Sequence, residues 1–264
     1  MKISVYIIAF NEADKILDCI NSVLWADEII VADSHSTDGT TEIAKNLGAK
    51  VIHIKFNGYG DLRNQAISYC TGDWIFSLDS DERCTEKVRD EILILLKDPQ
   101  HDIYHVPRKN FFMGKWIKYS GWYPNYRQPQ LFKMNTMSYD LKPVHEGFIN
   151  HSNKEIGKLK NPIWQIPFKN TEEIINKANR YSTLGVSKLE KKGINSSFLK
   201  AFLHALWSFT KHYIFKLGFL DGSAGFIIAF SNFEGTFYRY IKLFELQSKW
   251  KTPSVTPIRK IEKK

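Results

Sequence analysis

Two aspartates with one residue between them, Asp79 and Asp81, follow an apolar run at residues 74–78. Two carboxylates at the end of one strand lie near the same opening of the fold. There they can bind a hard divalent cation, Mn²⁺ or Mg²⁺, that also holds phosphates. The pair therefore predicts a metal site for a phosphorylated ligand. The competing interpretation is a solvated acidic turn, including Ser80, that caps a helix beginning near Thr85.

Polar residues also end two earlier apolar runs. Asn11 and Glu12 come after residues 3–9, and Asp33 comes after residues 28–32. Their side chains can accept hydrogen bonds from a nucleobase or a ribose. Asp33 with the serines that follow it is equally typical of an Asx turn, so each position alone leaves both interpretations open.

The runs that precede these residues alternate with helical patterns. Strands are predicted over 3–9, 28–32, 51–54 and 74–78, then over 102–107, 130–133 and 146–149, and helices over 13–25, 41–47 and 61–70. The alternation in the first hundred residues predicts an α/β fold with a mostly parallel, doubly wound sheet. Ligands of such sheets bind beyond the carboxyl ends of the strands, which is where Asn11, Asp33 and Asp79 are expected.

Further polar and aromatic residues are candidates for ligand contacts. Arg63 follows a glycine-containing loop and is expected either to meet a phosphate or to pack as a surface residue at a helix start. An aromatic loop is predicted over residues 111–126. Trp122 and Tyr123 in this loop either stack on sugar rings or pack to hold the loop against the domain. Arg127, which follows the loop, is expected to bind a phosphate.

Three segments together carry a resemblance to a known family. They are Ile7-Ile8-Ala9-Phe10-Asn11-Glu12, Val31-Ala32-Asp33-Ser34-His35-Ser36-Thr37-Asp38-Gly39-Thr40 and Leu78-Asp79-Ser80-Asp81-Glu82. In order and spacing they resemble the donor-site segments of family 2 glycosyltransferases, which have the GT-A fold. Within that family the chain is similar to the lipopolysaccharide core beta-1,4-glucosyltransferase branch, the LgtF/WaaE/KdtX-like proteins. The similarity continues through residues 121–124, 127, 144–146 and 218–222.

The resemblance implies an inverting transferase that moves a hexose, glucose in that branch, from a UDP-sugar to a lipid-linked or lipopolysaccharide-type surface-glycan acceptor. The residues that it places at the nucleotide-sugar are Phe10, Asn11, Glu12, Asp33, Arg63, Asp79, Ser80 and Asp81. Of the two carboxylates assigned to the divalent cation, Asp79 is expected toward the ribose and Asp81 on the metal.

Inversion needs a base that deprotonates the acceptor hydroxyl, and a carboxylate is the usual choice. The resemblance assigns this role to Glu146, which sequence alone interprets as an exposed residue at the start of a strand. His145, Trp122 and Tyr123 are assigned to the acceptor or to a phosphate, as is Arg127. One departure from the family pattern is Gln165, where relatives have a histidine. If that histidine is a metal ligand in the relatives, the coordination sphere of the metal in this chain differs from theirs.

The net charge of +9 for 264 residues is unevenly distributed. Residues 1–168 contain 20 Lys and Arg against 21 Asp and Glu, whereas residues 169–264 contain 17 against 7. The excess positive charge is therefore C-terminal. Because the donor half is neutral and carries no RNA-binding signature, a nucleic-acid partner is not expected. We predict a catalytic domain at 1–168 with a donor half at 1–99 and an acceptor half at 100–168, a basic amphipathic helical region at 169–250, and a poorly ordered tail at 251–264.

The helical region has two possible roles. An apolar stripe at helical spacing comprises Phe226, Phe230, Phe233, Phe237, Ile241 and Phe244. The stripe indicates either a helical hairpin packed on the catalytic domain or another subunit, or a peripheral anchor on an anionic membrane where a lipid-linked acceptor lies. No apolar stretch reaches the roughly 20 residues of a membrane span.

The three widely spaced cysteines indicate reduced thiols. We therefore expect a cytoplasmic protein at the inner face of the cell membrane. The alternative to an enzyme is a catalytically silent nucleotide-sugar-binding protein in a membrane-associated glycan assembly complex.

Overall fold

The computed structural model describes residues 1–124, 126, 128–141, 147–248 and 253–254. The chain divides into two compact units, Met1–Lys169 and Asn170–Lys264. We describe each unit by itself.

The described residues of unit 1 form strands and four helices. The strands are β1 (Ile3–Ala9), β2 (Glu28–Asp33), β3 (Lys50–His53), β4 (Trp74–Asp79), β5 (Glu82–Arg83), β6 (Ile103–His105), β7 (Arg108–Phe112), β8 (Lys115–Ile117), β9 (Pro129–Lys133), β10 (Met137–Tyr139), β11 (Phe148–Asn150), β12 (Gly157–Lys158) and β13 (Ile163–Gln165). The helices are α1 (Ala13–Asn21), α2 (Thr40–Asn46), α3 (Tyr59–Ser68) and α4 (Glu86–Leu95).

The main sheet has seven strands in the order β12-β6-β9-β4-β1-β2-β3. Strands β4, β1, β2 and β3 run parallel, and β9 is antiparallel to both β4 and β6. The chain leaves β1 to one side toward β2 and later returns to its other side as β4. This reversal of strand order creates a crevice at the carboxyl ends of β1 and β4. The predicted α/β class with a mostly parallel sheet is confirmed.

Strand β1 lies at the centre of the core because both of its faces are covered. Ile3, Val5 and Ile7 pack in one layer with residues of α1, α2 and α4, whereas Tyr6 and Ile8 pack in the other layer with residues of α3. All seven residues of β1 are buried. A strand that is buried on both faces reads as a continuous apolar run rather than as an alternating one, which is why this strand was visible in the sequence.

Two smaller sheets complete unit 1. Strands β5, β13, β7 and β8 form one, and β10 and β11 form the other. Part of the predicted aromatic loop at 111–126 is therefore a β-hairpin, joined by Met113 and Gly114 with φ of 52° and 71°. Strand β7 was not predicted because two of its three buried positions hold the polar residues Arg108 and Asn110. The strand therefore lacks the alternation of apolar and polar side chains by which a half-buried strand is recognised in a sequence.

Unit 2 is helical. It contains α5 (Thr171–Lys191), α6 (Phe198–Thr210), a π-helical turn at Lys211–Phe215, a 3₁₀ turn at Gly218–Asp221, and α7 (Ser223–Ser248). The two turns thus separate α6 from α7. The chain approaches itself closely here, because a Cβ on Gly225 would lie 1.9 Å from the carbonyl oxygen of Gly218. Within the part of the chain that the structure describes, no helix is both long and apolar enough to cross a bilayer.

The predicted aromatic stripe lies on α7 and packs within unit 2. Phe226, Phe230, Phe233 and Phe237 form a ladder of near-parallel rings with centroids 6.0–6.2 Å apart. Aromatic side chains of α6 meet this ladder edge-on, at Phe226, Phe233 and Phe237. The contacts make α6 and α7 a helical hairpin.

Candidate functional site

The register of the central strands brings the predicted strand-end residues to one edge of the sheet. Ala9 of β1 pairs with Asp33 of β2, and Ile8 pairs with Asp79 of β4. The side chains that follow these positions therefore surround the crevice between β1 and β4. Asp81 lies in the turn between β4 and β5.

Asp79 is paired with a buried arginine. Nη2 of Arg63 lies 2.5 Å from Oδ1 of Asp79, and Nη1 donates to Oγ of Ser77 at 3.1 Å. The Arg63 side chain also lies 5.4 Å from the ring of Tyr139. Burial opposes the charge on Arg63, but Asp79 together with Tyr6 and Tyr139 outweighs it, so the pKa of the guanidinium is raised well above its usual value.

The low exposure of Arg63 excludes one of its two predicted roles. Only 7% of the residue is exposed, so the prediction of a surface residue at a helix start is wrong. The buried guanidinium lies beside Asp79 at the crevice. A direct contact with a phosphate stays a prediction.

Asp81 is held by Gln165, the position at which this chain departs from the family pattern. Nε2 of Gln165 lies 3.2 Å from Oδ1 and 3.3 Å from Oδ2 of Asp81. The contact arises because β13 pairs antiparallel with β5, with Gln165 opposite Glu82. The backbone N–H of Ile166 also donates to the carbonyl oxygen of Asp81 at 2.9 Å.

The donor set at Asp81 is suitable for a hard divalent cation. Among the described residues no group of three or more His, Cys, Asp or Glu side chains converges on a possible metal position. Mg²⁺ and similar ions commonly use one or two carboxylates and take their other ligands from phosphates and water. The Asp81 carboxylate fits such a site, and the amide oxygen of Gln165 fits it when the amide is turned. Asp79 is less available because Arg63 neutralises it.

A buried network behind the acidic turn was missed by sequence reasoning. Oε2 of Glu82 accepts from the backbone N–H of Asp79 at 3.0 Å and from Nε2 of Gln130 at 2.8 Å, and Oε1 accepts from Nε of Arg108. Glu82 is 1% exposed. Burial raises the pKa of Glu82, and the positive charge of Arg108 acts against that shift.

Glu82 was visible in the sequence only as the residue after the acidic pair. Its partners are 26 and 48 residues further along the chain. No signal in the sequence pointed to these partners, because Arg108 is followed by the polar residues Lys109 and Asn110 and does not stand out as a buried charge.

The loops after β1 and β2 are joined by hydrogen bonds. The N–H of Asn11 donates to Oγ of Ser36, and the N–H of Thr37 donates to Oδ1 of Asn11, each at 2.8 Å. The N–H of Glu12 donates to Oγ1 of Thr40 at 2.9 Å. Asn11 has φ of 54°, a left-handed conformation that asparagine tolerates. The two loops therefore form one wall of the crevice, beside the exposed side chain of Phe10.

Asp33 is fully buried at the base of this wall. Its Oδ2 accepts from the N–H of Ser36 at 2.9 Å, as in an Asx-type turn, and lies 3.1 Å from Nδ1 of His53. Its Oδ1 is buried with no hydrogen-bond partner among the described residues. An unpaired buried acceptor is costly, which makes this oxygen a candidate acceptor for a ligand donor.

Trp122 and Tyr123 are engaged by the β7–β8 hairpin. The carbonyl oxygen of Trp122 accepts from Nδ2 of Asn110 at 2.8 Å, and its ring centroid lies 6.4 Å from that of Phe112. The ring of Tyr123 packs edge-to-face on Trp116 at 5.3 Å. These contacts correspond to the loop-pinning interpretation. Contacts of either residue with a sugar stay a prediction.

Three predicted site residues, Arg127, His145 and Glu146, lie outside the described residues. Most of the predicted tail at 251–264 lies outside them as well. Their assigned roles therefore stay predictions.

Comparison with known proteins gives one family and several related chains. Residues 4–150 match the family described as glycosyl transferase family 2. The chain is 30% identical to an uncharacterized glycosyltransferase of Rickettsia prowazekii, over 94% of this chain and 88% of the relative. It is 26% identical to the lipopolysaccharide core biosynthesis glycosyltransferase LpsC of Rhizobium meliloti, over 97% and 96%. A crystal structure of S. aureus TarS 1–349 with UDP-GlcNAc is similar with a TM-score of 0.49 and 16% identity, over 94% and 92%.

Proposed function

The chain belongs to glycosyl transferase family 2, and from this premise we propose that it is an inverting, metal-dependent enzyme that moves a hexose from a UDP-sugar to a lipid-linked or lipopolysaccharide-type surface-glycan acceptor. Its fold is the α/β fold of GT-A type with C-terminal helices that the resemblance implied. Glucose is the proposed hexose. The observation that carries the proposal is the meeting of Asp33, Asp79 and Asp81 at the carboxyl edge of the sheet.

The nucleotide is proposed to bind along the wall formed by the first two loops. The unpaired Oδ1 of Asp33 accepts an N–H of the nucleobase, which satisfies a buried acceptor that the protein leaves open. Asn11 and Glu12 line the same wall, with Phe10 and Ser80 at its edges. Asp79 accepts from the ribose, and Arg63 acts by fixing the orientation of Asp79.

The diphosphate is proposed to meet a divalent cation at Asp81. A divalent cation held by Asp81 would supply positive charge to the diphosphate leaving group. Asp81 supplies the carboxylate, and Gln165 supplies an amide oxygen once its side chain turns. Arg127 and His145 are proposed to bind phosphate, and Trp122 and Tyr123 to contact the acceptor.

Glu146 is proposed as the base, on the resemblance. Its carboxylate takes the proton of the acceptor hydroxyl while the hydroxyl oxygen bonds to the anomeric carbon and the bond from that carbon to the diphosphate breaks. A single displacement of this kind inverts the anomeric centre. Glu146→Gln keeps the shape of the side chain but removes its basicity, so UDP-sugar binding is expected to remain and turnover to be lost. Undiminished turnover would eliminate Glu146 as the base.

The acceptor class is supported by the name of LpsC, which refers to lipopolysaccharide core biosynthesis. Such acceptors carry a lipid, so we place the reaction at the cytoplasmic face of the cell membrane. The second candidate is a catalytically silent nucleotide-sugar-binding protein. It is favoured by one observation, the amide of Gln165 on both oxygens of Asp81.

Release of the nucleoside diphosphate distinguishes the two candidates. Purified protein is incubated with UDP-glucose, UDP-galactose, UDP-GlcNAc or GDP-mannose and Mn²⁺, and the released diphosphate is measured. We expect release with a UDP-hexose, loss of release in Asp81→Ala, and wild-type release in the exposed control Asp90→Ala. Binding of a UDP-sugar without release from any donor, with or without an added glycan acceptor, would support the silent protein instead.

A further inference from the structure

Helix α6 carries an exposed apolar surface on the side opposite to its packing contacts. Its residues, which we call the docking face, are Leu199, Leu203, Leu206, Trp207 and Phe215. Each is between 45% and 65% exposed. The ring of Trp207 lies 5.6 Å from that of Phe215 in the π-helical turn, so the surface is continuous from the helix into the turn.

The docking face is not the side by which α6 joins the hairpin. Ala201 and Ala205, which are fully buried, mark the packed side. At about 100° per residue, Leu199, Leu203 and Leu206 fall on the opposite side of the helix. Helix α6 is thus apolar on two sides, and among the described residues only one of them has a partner. A continuous exposed apolar surface of this kind indicates a binding site.

The charges beside the docking face are positive. Lys200 and Lys211 follow Trp207 around the same arc of the helix. From residue 198 to residue 233 the sequence has a single acidic residue, Asp221. Two copies of the docking face placed together would bring these cations toward one another, which disfavours self-association. An anionic surface is complementary to both features.

Lys242 does not belong to this basic border. Its Nζ donates to Oδ1 of Asn179 at 2.7 Å and to the hydroxyls of Ser182 and Thr183 at 2.8 Å. The ammonium therefore joins α7 to α5. Substitution of Lys242 would disturb the packing of unit 2 and would not test binding to a surface.

We propose that the docking face inserts into the headgroup region of an anionic bilayer, with Lys200 and Lys211 at the lipid phosphates. Helices with an apolar face and a basic border lie in the plane of the interface, and tryptophan is enriched at that depth. The inference is independent of the sugar transferred. A chain held at the membrane meets a lipid-linked acceptor at raised effective concentration.

Co-sedimentation of the full chain with vesicles tests the proposal. The vesicles are phosphatidylcholine alone, or phosphatidylcholine with an equal amount of phosphatidylglycerol. Wild-type protein is expected to bind the anionic vesicles and to be released as the salt concentration rises. Leu203→Gln/Trp207→Gln is expected to lose on the order of a hundredfold in partitioning, tenfold for each apolar side chain. Lys200→Gln/Lys211→Gln is expected to lose about fivefold for each lysine.

The control is Leu93→Gln/Ile94→Gln, which changes two exposed apolar residues of unit 1 and should bind as wild type. UDP release in solution should be unchanged in the docking-face variant, so a failed proposal about the membrane is distinguishable from a failed proposal about the reaction. Equal binding of Leu203→Gln/Trp207→Gln and wild type would overturn the inference. So would a wild-type dimer, seen by sedimentation velocity, that binds no vesicles and dissociates in this variant.

Discussion

The buried carboxylate of Glu82 provides the most direct test of how the acidic turn is held. In Glu82→Gln one oxygen becomes an NH₂ group, yet both oxygens face donors, Arg108 on one side and Asp79 N–H with Gln130 on the other. Either orientation of the amide therefore creates a donor–donor contact, and the charge of Arg108 loses the carboxylate that Glu82 supplied.

The expected loss follows from the burial of the pair. Removing one partner of a buried ion pair costs about 3–5 kcal/mol, and the retained shape of glutamine places Glu82→Gln near the lower value. For a unit of this size, about 3 kcal/mol corresponds to a fall in Tm of roughly 6–12 °C. The nucleotide-sugar should also bind more weakly, because the N–H of Asp79 is no longer held by a carboxylate.

Scanning calorimetry measures the change in Tm, and titration with UDP measures affinity. Glu155→Gln, at an exposed position, is the control and should change stability by less than about 0.5 kcal/mol. Adding Arg108→Met to Glu82→Gln removes the buried guanidinium that faced the lost carboxylate and should restore part of the loss. A Tm for Glu82→Gln within about 2 °C of wild type would refute the reasoning, because it corresponds to less than about 1 kcal/mol.

Three further predictions concern single side chains at the site. Asp33→Asn should weaken UDP binding by roughly tenfold or more, the value of a hydrogen bond to a charged acceptor; titration calorimetry would contradict this by finding the affinity of wild type. Gln165→Glu adds a carboxylate beside Asp81, so the Mn²⁺ concentration for half-maximal UDP release should fall on the order of tenfold; a higher concentration would show that Gln165 does not adjoin the cation. Partial burial opposes ionisation of Asp38, but hydrogen bonds from Thr40 and Ala13 outweigh it and lower its pKa. Its contribution to stability is therefore present above about pH 4 and lost on further acidification. In urea titrations Asp38→Asn should be less stable than wild type at neutral pH and show a shallower loss in acid; an unchanged pH dependence would count against this.

The strands that carry the site could be predicted because they are buried on both faces and mainly apolar. β1 and β4 read as apolar runs interrupted only by Ser4 and Ser77, and the polar residue that ends each run marks the carboxyl edge of the sheet. The positions of Asp33, Asp79 and Asp81 at that edge could therefore be predicted from pattern and order, whereas their roles stay predictions. The helical stripe of α7 was equally visible, since its spacing is that of one helix face.

The partners of these residues could not be predicted, since pairing depends on which distant segments the fold brings together. Arg63 reaches Asp79 because α3 crosses the sheet on the side of Tyr139, and nothing near Arg63 in sequence indicates this. The strand β7 was missed for a related reason, because its inward side chains Arg108 and Asn110 are polar.

The antiparallel pairing of β5 with β13 has a consequence for how the protein folds during synthesis. Gln165 reaches Asp81 across 84 residues of chain, and Glu82 finds its partners only after the chain has passed Arg108 and Gln130. During synthesis the first hundred residues can collapse around β1. The segments that hydrogen-bond to their acidic turn leave the ribosome later, so the turn becomes ordered only after they have been made. A fragment ending near residue 99 would lack Arg108, Gln130 and Gln165, so we expect its acidic turn to be poorly ordered even where its central strands have formed.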